Sequence, residues 1–149
     1  NTNIVHRTGS ETIDGVKTFV QEINGTSLRA KWADLAEVYA TDIDYPVGTL
    51  VQFGGSKEMI IATSEVNGVI SSNPALLMNG AEEGQPIAMV GRVPVRVKGP
   101  ISKFDYIGLS DEPGVATRVE KGSENIIGRA LEESSTEYGL VLCSVRFQL

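Results

Sequence analysis

Few side chains in this sequence could do chemistry. The sole histidine is His6, so no motif that needs two histidines can be built. With a serine it could act as a base, but a triad is defined by geometry that chain order does not supply. Beside Arg7, in a Thr- and Gly-rich stretch, His6 reads more simply as a surface or inter-chain hydrogen-bonding residue. The sole cysteine, Cys143, allows no disulfide and no cysteine-based zinc site within one chain. It lies in Leu140-Val141-Leu142-Cys143-Ser144-Val145 with no basic neighbour in sequence to lower its pKa. A small buried core residue is therefore the expectation, rather than a reactive thiol.

Asp34, Glu37, Asp42 and Asp44 form an acidic cluster of hard oxygen ligands that suit Ca²⁺ or Mg²⁺. Their spacing lacks the Gly and the distal Glu of an EF-hand loop, so a solvated acidic face is the better reading. Gly54-Gly55-Ser56-Lys57 lacks the GxxxxGK[ST] pattern, and a hairpin-like turn accounts for its glycines. Ser71, Ser72 and Asn73, beside Pro74, favour a tight turn on their own. No catalytic residue, metal ligand or cofactor is assigned. The remaining chemistry is ionic. Arg92, Arg96 and Lys98 share one side of a strand, and they could meet solvent, the acids of a neighbouring subunit or an anionic surface glycan. Exposed pairs contribute only about 0–1 kcal/mol each, so such contacts would set register more than stability.

The elements that must position these groups follow from composition and periodicity. The chain has 149 residues, 41% hydrophobic and 6% aromatic, which suits one globular domain with a short appended arm. A domain of this size buries roughly 70% of its unfolded surface and can hold one core. Sixteen glycines and six prolines imply many turns and short strands. A net charge of −6 argues against a nucleic-acid partner. No apolar run reaches the ~18 residues of a membrane span, so no membrane insertion is expected. Opening on Asn1 rather than Met, the chain is expected to be a piece of a longer protein.

The clearest strand is Ile87 to Lys98. Ile87, Met89, Val93, Val95 and Val97 fall on one face, and Arg92, Pro94, Arg96 and Lys98 on the other. Pro94 makes it an edge or bulged strand. Val47 to Phe53 alternates as well, and further strands are expected at 58–63, 68–71, 106–109, 126–131 and 140–147. Asn73-Pro74 favours a short helical turn through Leu77, and the loop 79–86 is polar. Leu28 to Tyr39 is the one helix expected, with Leu28, Trp32, Leu35, Ala36 and Tyr39 on a single face and Thr26 or Ser27 as N-cap. An extended form stays open because so short a helix is marginal alone. Before it, Asp14-Gly15 reads as a tight turn and Val16 to Ile23 as a strand. The organisation expected is an extended oligomerisation arm over 1–25 and a mainly β domain over 26–149, a small barrel or sandwich with one short helix.

Two regions carry a family resemblance. His6-Arg7-Thr8-Gly9-Ser10-Glu11-Thr12-Ile13-Asp14-Gly15-Val16-Lys17-Thr18-Phe19 resembles a segment that recurs in the shafts of bacteriophage tail fibres, where such stretches join intertwined trimeric β-structure. In the body, Asp34-Leu35-Ala36-Glu37, the run Tyr45 to Gly55, Val69 to Ala75, Gly91-Arg92-Val93-Pro94-Val95 and Ile127 to Glu132 resemble a module found near the ends of phage tail fibres and tail appendages. Related modules in some phages are self-cleaving, and in this light Ser71, Ser72 and Asn73 are the candidates to supply a nucleophile and a strained peptide bond.

The resemblance implies a structural protein of the virion, in the phage tail. It would be a homotrimer that holds chains in register, connects or terminates the fibre, and contacts other tail proteins during host attachment. It would not be an enzyme, with an autoproteolytic module or a receptor-binding tip as alternatives. The arm is too poor in apolar residues to fold alone. Three copies wound together would bury Ile4, Ile13, Val16 and Phe19 and pair open strand edges, and Arg92 and Arg96 complete the expected interface.

Overall fold

The computed structural model describes residues 8–10, 12–22 and 33–147. Ten strands follow one another: β1 (Asp34–Tyr39), β2 (Leu50–Phe53), β3 (Met59–Ile61), β4 (Gly68–Ile70), β5 (Leu76–Met78), β6 (Gln85–Lys98), β7 (Tyr106–Leu109), β8 (Ala116–Val119), β9 (Ile126–Ala130) and β10 (Tyr138–Arg146). The chain is mainly β, as its turn-rich composition implies, and no helix occurs among the described residues. Hydrogen bonding runs β10-β9-β7-β8-β6, and β10 returns to β6, which closes a five-stranded barrel. β4, β2 and β3 extend from β6 as an annex, while β1 lies along β6 and carries β5 on its outer edge. Closure removes free edges from the barrel.

β6 is the spine. Its fourteen residues are long enough to serve both the barrel and the annex. One edge pairs with β10 opposite Val90–Lys98 and with β4 opposite Ile87 and Ala88. The other edge pairs with β1 up to Gly91 and with β8 at Val97. Between those partners the N–H groups of Arg92 and Arg96 donate to Ala33 O (3.2 Å) and Gly48 O (2.9 Å). Amides two residues apart point the same way, so the N–H that Pro94 lacks would face this gap. The proline sits where no ladder bond is lost.

Val93, Val95 and Val97 point into the barrel with Ile107, Ala116, Ile127, Ala130, Val141, Cys143 and Val145, so all five barrel strands feed one core. A second cluster of Tyr45, Val51, Met59, Ile70 and Ile87 fills the annex. Strict alternation breaks at two places. Ala88 is fully buried while Met89 is only half-buried, because the β1–β6 register slips between Leu35 and Ala36. Such a bulge shifts which face a side chain takes. Leu50 and Val51 are both buried because β2 is covered on both faces, one by each cluster.

Three expectations are corrected. Asp34–Tyr39, the second half of the expected helix, is strand β1. Asp34, Ala36 and Val38 are buried and Leu35, Glu37 and Tyr39 half-buried, a period of two imposed by pairing with β5 and β6. Its first half, Leu28 to Trp32, lies outside the described residues. The helical turn expected through Leu77 is strand β5, drawn into parallel register with β1. Residues 12–22 form no strand in the single chain. At Asp14-Gly15 the chain only bends, with Gly15 at φ 76° and its N–H donating to Asp14 Oδ1 at 2.8 Å. β8 went unanticipated.

Candidate functional site

The arm and the outer face of β6 are the surfaces to which the expected interface maps. Ile13, Val16, Phe19 and Val20 are exposed by 51, 95, 66 and 88%, so in the single chain their apolar surface stays in water. Ile4 and His6 lie outside the described residues. Arg92 and Arg96 alternate outward from the buried valines of β6, as their spacing implies, and both are exposed. Leu142 and Leu140 stand opposite Pro94 and Arg96 on β10, and Leu140 is 55% exposed. This face is therefore an apolar strip framed by two guanidinium groups. Lys98 has turned to its own chain, where its ammonium contacts Asp111 at 3.1 Å and Glu112 at 3.7 Å. That pairing, chiefly the Asp111 hydrogen bond, raises its pKa.

The acidic cluster is not one site. Asp34 is buried, and its Oδ2 accepts the Ser71 hydroxyl at 2.6 Å. Glu37 accepts from Tyr39 (2.8 Å) and from Asn79 Nδ2 (2.7 Å). Asp42 accepts from the Tyr45 hydroxyl at 2.6 Å, and that oxygen in turn accepts Ile61 N–H at 3.0 Å. Desolvation, and then the bond to Glu37, pushes the Tyr39 pKa up to about 12. Desolvation and the Asp42 bond raise Tyr45 likewise. Each acid is thus spent on its own hydroxyl or amide partners, and Asp44 alone of the four is exposed without such a bond among the described residues. Of the expected acidic face, Asp42 and Asp44 are exposed, Glu37 is half-buried and Asp34 is buried.

Ser71, Ser72 and Asn73 do come together with Ala33, Asp34, Arg92, Pro94 and Leu142, around a cleft of about 320 Å³. Ser71 is buried and bonded to a carboxylate, whereas Ser72 and Asn73 are exposed. A hydroxyl donating to a carboxylate can act as an oriented nucleophile, and it can equally be the means by which a buried charge is satisfied. The Gly54-Gly55-Ser56-Lys57 segment is the hairpin turn between β2 and β3, closed by Gly54 N–H to Glu58 O at 3.1 Å. Cys143 points into the barrel, and burial, followed by the charge of Glu132, pushes its thiol up to about 12.

Two features escaped the sequence reading. Gln85 bridges the annex, accepting Tyr45 N–H (2.9 Å) and the Thr41 hydroxyl (3.1 Å) while its own amide donates to Tyr45 O (2.8 Å). Phe104 and Tyr138 are aromatic side chains left 55% and 50% exposed. The Gln85 bridge leaves no pattern in sequence, since a glutamine before a strand is ordinary until its partners are placed.

The fold is thus a closed five-stranded barrel with a β annex built on one long shared strand. It is also found in the crystal structure of the pre-mature bacteriophage phi29 gene product 12, which aligns with a TM-score of 0.64 at 15% identity. The match covers 85% of this chain and 24% of that one, so this chain corresponds to about a quarter of the phage protein. At that identity the likeness establishes a common fold. No protein-family model and no curated protein matches the chain.

Proposed function

We propose that the chain is a structural component of a bacteriophage tail fibre or tail appendage. In this reading it acts as a homotrimer that holds three copies in register and connects or terminates the fibre. The observation that carries it is the arm. Ile13, Val16, Phe19 and Val20 stand in water in the single chain, and residues 12–22 form no strand there. Sister copies of the same segment would cover these side chains and supply the missing ladder. The likeness of fold to a phage gene product and the resemblance of the arm to fibre-shaft segments support the same reading. Arg92 and Arg96, framing the Leu140 and Leu142 strip, suit a second contact between copies, with Asp44 as an acid left available to meet them. The work is mechanical and needs no turnover. Other tail proteins of the virion are the expected neighbours.

Deleting the residues before Asn24 tests this. The expected result is a body that melts as a folded domain yet runs at lower mass than the full chain. An unchanged oligomer would contradict the assignment of the arm.

A processing reading has one observation in its favour, the buried Ser71 hydroxyl on Asp34 beside the exposed Ser72 and Asn73. In it Asp34 would take the proton as Ser71 attacks a peptide carbonyl and return it to the departing amine as the C–N bond breaks, leaving an ester that water hydrolyses to free Ser71 and a new carboxylate. Intact mass spectrometry of the full chain after prolonged incubation distinguishes the two, since a single uncleaved species rejects processing.

A further inference from the structure

The turn Ser102–Asp105 leads into β7 and is closed by Asp105 N–H to Ser102 O at 3.1 Å. Its third residue is Phe104, at φ 72°, in the left-handed region where a side chain is strained and glycine is the ordinary solution. The backbone is held there by Phe104 N–H to Ala130 O (2.8 Å) and by Arg129 Nε to Phe104 O (3.0 Å). The phenyl ring repays none of this strain by burial, since it is 55% exposed. A strained backbone that presents a large apolar ring to water calls for a functional reason.

The surroundings supply one. Tyr106, Arg129 and Ser144 stand side by side across β7, β9 and β10, and Arg146 follows Ser144 on the same face. The Arg129 guanidinium lies 4.5 Å from the Tyr106 ring centroid, and the Lys103 ammonium 5.3 Å from that of Phe104. Phe104, Arg129, Leu131, Ser144 and Arg146 line a cleft of about 390 Å³, within the size range of small-molecule sites. Among the described residues no carboxylate forms an ion pair with Lys103, Arg129 or Arg146, while Lys98 and Arg118 are each paired twice. In a chain of net charge −6, this corner keeps three cations around one exposed ring.

We propose that this outer face of β7, β9 and β10 binds a saccharide bearing an anionic group. A pyranose ring would stack on the open side of Phe104, and its carboxylate would meet Arg129 and Arg146. An acidic peptide fits less well. β7 and β9 are paired on both edges inside the barrel, which leaves no edge there for strand addition.

Calorimetric titration of the full chain with trigalacturonic acid tests the proposal, with maltotriose and tetraglutamate as comparisons. Saturable binding of trigalacturonate is expected, weakening as salt rises, with maltotriose and tetraglutamate at least tenfold weaker. Phe104→Gly is expected to lose at least tenfold in affinity while melting no lower than the native chain, because glycine relieves the turn. Arg146→Gln is expected to lose affinity with its melting unchanged. Absence of saturable trigalacturonate binding overturns the proposal. So does full affinity in both variants, or tetraglutamate binding as tight as trigalacturonate.

Discussion

Asp34 and Ser71 show how much one hydrogen bond can decide in a core this small. The carboxylate is buried, and the Ser71 hydroxyl at 2.6 Å is its side-chain donor. Ser71→Ala removes the donor and keeps the buried charge, at an expected cost of about 1–3 kcal/mol in urea unfolding. Cys143 makes a different prediction. Its folded pKa, about 12, lies above the 9.0 of a free thiol. Between those values the unfolded chain loses a proton that the folded chain keeps, so stability falls as pH rises through that window and is intact below it. Tyr39, raised from 10.0 to about 12, adds to the same alkaline loss. Unfolding followed from pH 8 to 12 should show the decline, and Cys143→Ala should flatten its first part. A thiol reagent at pH 8 should label the native protein only on unfolding.

At the scale of elements, the closed barrel is where stability resides, and Ile107 is its largest fully buried side chain on β7. Ile107→Ala is expected to cost about 2–5 kcal/mol by denaturant titration. Changing the exposed Arg92 and Arg96 together to Glu should leave the melting of the body nearly unchanged. The legibility of these elements differs for physical reasons. β6 could be read because Val93, Val95 and Val97 alternate with outward cations over a long run, and the position of Pro94 at a ladder gap follows from its missing N–H. β1 could not. Leu35, Ala36 and Tyr39 satisfy a helical period, whereas in the strand Ala36 faces away from Leu35 and Tyr39, and pairing with β5 and β6 decides between the two. β8 is four residues held between β6 and β7, too short to show a period. Of the candidate site, the outward direction of Arg92 and Arg96 was legible. The internal use of Asp34, Glu37 and Asp42 was not, because their partners Ser71, Asn79 and Tyr45 are brought to them by the fold.

For the whole molecule, the body and the arm obey different rules. The body packs two buried clusters and closes its barrel, with Leu76, Phe104 and Leu140 left on its surface, while the described arm leaves Val16 95% exposed and packs no cluster. A body that stands alone joined to an arm that cannot is what a fibre subunit requires. In the proposed reading its copies would fold separately and then be locked together through the arm. The mass of the intact chain in solution tests this most directly. Light scattering on the chromatographed protein should give three times the 16.0 kDa of one chain, unchanged on dilution. A stable single-chain mass, with the arm protected from protease, would contradict it.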